Sequence, residues 1–235
     1  MTDKQEKALY IARQLLDAGM TLAGASGVIA NIEAESAFKS TNVQDSYERG
    51  LCMNDEQYTT AVDNGTYTRF TVDQAGYGLA QWTANDRKDG MLKFHRKRGA
   101  SIGDFKTQVA WLITEIRGYT KAFQTVTQSN DPYLCGYNVC KYYEIPADTE
   151  NAARYRGGLA QDWYAWLEKQ ELSQNPYTPP TIDPVQGTFP PDPSIFTIQL
   201  VMQFNGYWDA DKINGHKSKE FFTALEQFVK DMQTC

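Results

Sequence analysis

Two carboxylates, Glu33 and Glu35, stand near the end of an apolar run, Gly27-Val28-Ile29-Ala30-Asn31-Ile32-Glu33-Ala34-Glu35-Ser36-Ala37-Phe38. A carboxyl held against apolar surface keeps its proton to higher pH, which is what a general acid requires. About forty residues on, Ala75-Gly76-Tyr77-Gly78-Leu79-Ala80-Gln81-Trp82-Thr83 reads as a tight, glycine-bracketed turn opening into aromatic and amide side chains. An acid-bearing helix, a small sheet and a Gln/Trp wall together form the layout expected of a cleft that cuts glycosidic bonds.

The elements that must position these groups can be read from spacing. Ala8, Ile11, Ala12, Leu15 and Leu16 predict a helix over 4–18. Thr21 is placed to cap a second helix, with Leu22, Ala25, Val28, Ile29 and Ile32 on one stripe. Glu33 and Glu35 fall on opposite edges of that stripe, so periodicity does not choose between them. Position does: Glu35 lies nearer the end where the chain opens, and the negative pole of the helix opposes its ionisation. Glu33 is expected to be solvated.

Residues 40–56 read as a polar loop. Tyr58–Val62 and Tyr67–Val72, flanking Asp63-Asn64-Gly65-Thr66, predict an antiparallel hairpin. Asp73 follows at once, either as a second carboxylate or as an Asx-turn residue. Tyr77 and the backbone at Gly78 would line a groove floor. Gln81 offers both donor and acceptor to an acetamido or hydroxyl group. Trp82 is either a sugar platform or core.

Beyond Asp86 the pattern is helical. A basic helix near 86–98 contains Arg87, Lys88, Lys93, Arg96, Lys97 and Arg98, and reads as a solvated face with His95 at its surface. Helices follow near 103–117, 119–128 and 131–143; Pro146 stops the last, and a long helix near 149–172 closes the region. Glu144 is a second acid or a structural partner of Arg154 or Arg156.

Seven of the nine prolines fall between Pro176 and Pro193, predicting a stiff linker over 173–193. Residues 194–235 carry Phe204, Asn205-Gly206-Tyr207-Trp208 and then Phe221, Phe222, Leu225 and Phe228, predicting a small helical region. The expected fold class is therefore α+β, mostly α, with 1–172 as the main domain.

The pair Glu35-Ser36 with Phe38, then Gly76–Thr83, then Tyr143-Glu144-Ile145-Pro146-Ala147-Asp148, resembles the phage tail lysozyme family over roughly residues 5–170. It is more distantly similar to goose-type lysozymes and soluble lytic transglycosylases. The resemblance implies a muramidase that cleaves the β-1,4 link between N-acetylmuramic acid and N-acetylglucosamine, or a lytic transglycosylase. It also allows a non-catalytic, wall-binding or tail-tip structural protein on the same fold. It implies Glu35 as catalytic acid, because the family glutamate precedes serine. It places Asp73 near a goose-type aspartate, and sets Ser36, Tyr77, Gly78, Gln81, Trp82, Tyr143 and Glu144 along the substrate cleft. The implied partners are peptidoglycan glycan strands and a phage tail or other envelope-penetrating assembly, with no metal or cofactor. Residues 194–235 look like small helical peptidoglycan-binding modules.

Composition agrees. The chain has 235 residues, 41% of them hydrophobic, enough for a substantial core. A net charge of −6 argues against nucleic acid, whose binders present basic surfaces, and against electrostatic attachment to an anionic wall. No run reaches membrane-helix length, and the N-terminus has no signal-peptide core; the resemblance implies a virion component or a lysin released from the host cytoplasm, acting on the wall. Cys135 and Cys140 are either a disulfide or free thiols, and the Cys and His spacing does not suggest zinc.

Overall fold

The computed structural model describes residues 1–170 and Leu172. The predicted linker and small helical region lie outside the described residues.

The described chain is helical. In order it forms α1 (Asp3–Asp17), α2 (Leu22–Ser36), α3 (Asp45–Leu51), α4 (Asp55–Asp63), α5 (Asn85–Lys97), α6 (Phe105–Ile116), α7 (Thr120–Gln128), α8 (Pro132–Val139), a π-helical turn (Cys140–Glu144) and α9 (Thr149–Glu168). Thr21 caps α2 as expected, accepting from Gly24 N at 2.9 Å. From Ala23 to Ile32 every residue of α2 is buried, so this helix is an axle enclosed on all sides rather than a one-faced amphipathic element. Helices α8 and α9 pack on it and on each other. Glycine makes the approach possible. A Cβ on Gly27 would lie 2.6 Å from the Cys135 carbonyl carbon, and one on Gly136 would lie 2.5 Å from Arg156 O.

The predicted hairpin is absent: residues 58–62 belong to α4, and the only bridges among the described residues are the isolated pairs Val43–Tyr77 and Tyr77–Trp82. The reason is local. Asn54 Oδ1 accepts from Gln57 N at 2.9 Å while Gln57 Oε1 accepts from Asn54 N at 3.1 Å, a capping box that starts a helix. Asp55, Tyr58, Thr59 and Val62 then share a buried face at helical spacing. Tertiary burial overrides the β-propensity of Tyr, Thr and Val. The Asp63–Thr66 stretch is the end of this helix, not a hairpin turn, and the loop expected over 40–56 contains α3 and the start of α4.

The basic helix is also not simply solvated. In α5, Lys88, Met91 and His95 are buried on one side, and His95 Nδ1 lies 2.8 Å from Met91 O. Lys88 is fully enclosed, with Nζ donating to Asp73 Oδ1 at 2.6 Å and Ala75 O at 2.7 Å. Cys135 and Cys140 are free and buried, and burial raises both thiols to about 11.

Candidate active site

A groove of about 690 Å³ runs past the C-terminal end of α2. Its lining includes Glu35 from α2, Gln44, Gln74, Gln81 and Thr83 from the loops before α5, and Arg87 from α5. Glu144, Ile145, Pro146 and Ala147 complete it from the segment joining the π-turn to α9.

Glu35 sits one residue before the end of α2, and Ala37 closes the helix in the left-handed region with its N–H on Glu33 O. Arg156 of α9 reaches Glu35 Oε1 at 2.6 Å with one guanidinium nitrogen and Asn31 Oδ1 at 3.0 Å with another. Asn31 is itself fixed, donating to Gly27 O and Gly136 O. The ion pair is thus held by three packed helices. It nonetheless lies on the groove, and the Glu35 side chain is 16% exposed.

Glu144 enters from the other side. Ile145 N bonds Cys140 O at 2.8 Å, closing the wide π-turn on which Glu144 is carried; such turns re-aim a side chain that a regular helix would point elsewhere. The Glu144 side chain is only 3% exposed, and its nearest cation is Arg87 Nη1 at 3.9 Å. Arg87 comes no closer because it is spoken for, donating to both oxygens of Glu115 at 2.9 Å. Glu115 Oε2 also accepts from Trp82 Nε1 at 2.7 Å and Tyr143 Oη at 2.5 Å. Burial foremost, and then the negative charge of Glu35, raise the Glu144 carboxyl to about 8, against the opposing pull of Arg87 and Arg156. The expected pairing of Glu144 with Arg154 or Arg156 is replaced: Arg154 pairs with Glu150, and Arg156 with Glu35.

Of the residues expected along the cleft, Glu35, Gln81 and Glu144 come together on the groove. The others stand behind it. Ser36 is buried, with Oγ 2.9 Å from Leu79 O, tying α2 to the Gly76–Thr83 turn. Tyr77 is fully buried, its hydroxyl 2.6 Å from Thr59 Oγ1. Gly78 takes φ 76°, and a Cβ there would meet Gln108 Oε1 at 2.6 Å. Trp82 and Tyr143 are core residues satisfied by Glu115. Asp73 does not line the groove; its carboxylate accepts from Lys88, Tyr58 Oη at 2.6 Å, Tyr67 Oη at 3.0 Å and Ala75 N at 3.1 Å. Glu33 is not solvated either: it accepts from Trp163 Nε1 at 2.6 Å and pairs with Lys4. Arg87 and Glu115 were not singled out by their surroundings in sequence. Sequence offered no signal for them, because the inward side of α5, Lys88, Met91 and His95, is mostly charged or polar and shows no apolar spacing.

A helix-rich domain whose groove takes carboxyls from two separate helical segments is consistent with a lysozyme-like fold. The sequence model of the family described as phage tail lysozyme matches residues 6–167, most of the chain, and the protein belongs to that family. The family is one of lysozyme-like, peptidoglycan-lytic enzymes. A search of curated proteins finds no match. Among the described residues no helix is long and apolar enough to cross a membrane.

Proposed function

We propose that this protein is a muramidase that cleaves the β-1,4 bond between N-acetylmuramic acid and N-acetylglucosamine by general acid catalysis. The observation that carries the reading is the unequal environment of two carboxyls on one groove. Glu35 is salt-bridged to Arg156 and partly exposed, whereas Glu144 is enclosed and keeps its proton near neutral pH. Two carboxyls driven apart in this way divide the roles of proton donor and charged partner. Gln44, Gln74, Gln81 and Thr83 supply amides and a hydroxyl suited to sugar hydroxyl and acetamido groups.

Glu35, the more accessible carboxyl, is assigned the proton transfer to the leaving oxygen. Glu144 carries its own proton while the groove is empty, held there by burial and by the charge of Glu35. A second reading exchanges the roles: Glu144, protonated at neutral pH, is the acid, and Glu35 is the carboxylate that steadies the oxocarbenium-like transition state or a water. The high Glu144 value favours it.

Glu35→Gln and Glu144→Gln separate the two. Removing a general acid costs about 10²–10⁴-fold in rate, so the larger loss names the acid. Mass spectrometry of digested peptidoglycan gives the reaction: reducing ends for a hydrolase, anhydromuramic ends for a transglycosylase that uses the same glutamate. Clear binding to the wall with no turnover by the unaltered protein sinks the enzymatic reading in favour of a structural role. We further infer a wall-directed protein carried on a phage tail or released as a lysin, with residues 1–172 catalytic and 194–235 as a wall-binding region.

A further inference from the structure

Six non-glycine residues among those described have positive φ: Ala37, Phe38, Cys52, Gln74, Gln81 and Ile145. Three of them, Gln74, Gln81 and Ile145, line the groove, and Ala37 and Phe38 directly follow the helix that carries Glu35. Strained backbone concentrates where function over-rides local preference.

Ile145 is the sharpest case. It adopts φ 51°, ψ 57°, a left-handed conformation that is a genuine outlier for a β-branched residue. It precedes Pro146, and a residue in that position is steered toward extended backbone. Nothing about its side chain offsets this, because it is aliphatic and 60% exposed. The one backbone bond that the conformation serves, Ile145 N to Cys140 O, would form equally well with glycine, the usual occupant of a helix end in this conformation. Folding stability therefore does not explain an isoleucine. Its surroundings do. With Pro146 and Ala147 it forms one apolar stretch of a groove that also takes Tyr47, Ala80 and Ala84 and is otherwise polar or charged.

We infer that Ile145 is a specificity-determining contact, its side chain held out by a strained backbone to receive a methyl-bearing substituent of the glycan. The inference rests on the reading of this groove as a glycan-cleaving site. The methyl group has two sources in peptidoglycan chemistry: the sugars themselves, through their acetamido and lactyl groups, or the alanyl groups of the peptide stem.

The test is Ile145→Gly in the full chain. Relief of the backbone raises Tm by about 2–4 °C. Loss of the apolar contact lowers kcat/KM on peptidoglycan about tenfold, mainly through KM, with the pH profile unchanged. On strands stripped of stem peptides the deficit persists if a methyl of the sugars is the ligand, and vanishes if the stem supplies it. Three results overturn the inference: no rise in Tm, a rise in Tm with unaltered kcat/KM, or a displaced alkaline limb, which would mean that Ile145 acts only by placing Glu144. Failure of the cleavage reading looks different, since the unaltered protein and Glu35→Gln would then be equally inactive. The contact is then read as the Kd of Glu35→Gln, with and without Ile145→Gly, for soluble stem-bearing strands, and equal values overturn it.

Discussion

Arg156 touches Glu35 at 2.6 Å and Asn31 at 3.0 Å, so one guanidinium joins the groove end of α2 to the middle of the same helix. It is 7% exposed, and it also favours the ionised form of Glu144. Arg156→Gln should lower stability by about 1–3 kcal/mol through the lost buried bonds. It should also move the alkaline limb of the activity profile to higher pH, because a cation that opposes protonation of Glu144 is gone. Chemical denaturation and a pH–rate profile measure both; a limb that stays put or falls would disconnect Arg156 from the carboxyl pair.

Glu144 makes stability depend on pH in a definite direction. Its folded value of about 8 exceeds the ordinary 4.5, so between these values the folded protein holds a proton that the unfolded chain has released. Its contribution is fully present below pH 4.5 and is lost as pH rises through 8. Glu144→Gln has no such proton to lose. Relative to the unaltered protein it should gain more than about 1 kcal/mol between about pH 5 and about pH 9, the equivalent of one pKa unit or so. Denaturant midpoints across that range decide it, and a constant difference would rule out a buried, protonated carboxyl.

The Asp73–Lys88 pair predicts a split between folding and catalysis. Lys88→Met leaves the buried Asp73 carboxylate without its cation, which should cost about 3–5 kcal/mol. Asp73→Asn should likewise lower Tm, while each folded molecule keeps its rate within about threefold. A well-folded Asp73→Asn protein that had lost its activity would restore Asp73 as a reacting group.

Gly27→Ala tests the axle. The added methyl would lie 2.6–2.7 Å from atoms of Cys135 and Gly136, and the overpacking should cost about 1–3 kcal/mol or more. A neutral effect on thermal unfolding would mean that α8 can step back from α2.

The helices were legible in sequence wherever apolar spacing and capping agreed, as in α1 and in α2 with its Thr21 cap. They were misread where propensity and burial conflict. Tyr58, Thr59 and Val62 favour strands in isolation, yet an Asn54–Gln57 capping box and a buried face make them helical. Charge misled in the same way at Lys88, whose partner Asp73 comes from a separate segment that spacing cannot reveal, and at His95, which is buried and bonds within its own helix to Met91 O. Glu35 and Glu144 could be picked out from their motifs. The cation between Glu35 and α9 could not be assigned, since an arginine eligible for two acids shows its choice only in three dimensions. Tyr77, Trp82 and Tyr143 illustrate the opposite error, in which aromatic chemistry suited to sugars is spent on the interior.

The five-residue turn at Cys140–Glu144 accommodates one residue more than a regular helix would need. Excising a single codon within it would let α8 run on as ordinary helix and swing everything beyond by about 100°. Because α9 packs on α2 beyond that turn, residues 145–148 would have to absorb the swing for the interior to survive, and the Glu144 carboxyl would point elsewhere. One extra residue in this turn therefore sets where Glu144 meets the groove, and the length of the chain there is as constrained as its composition.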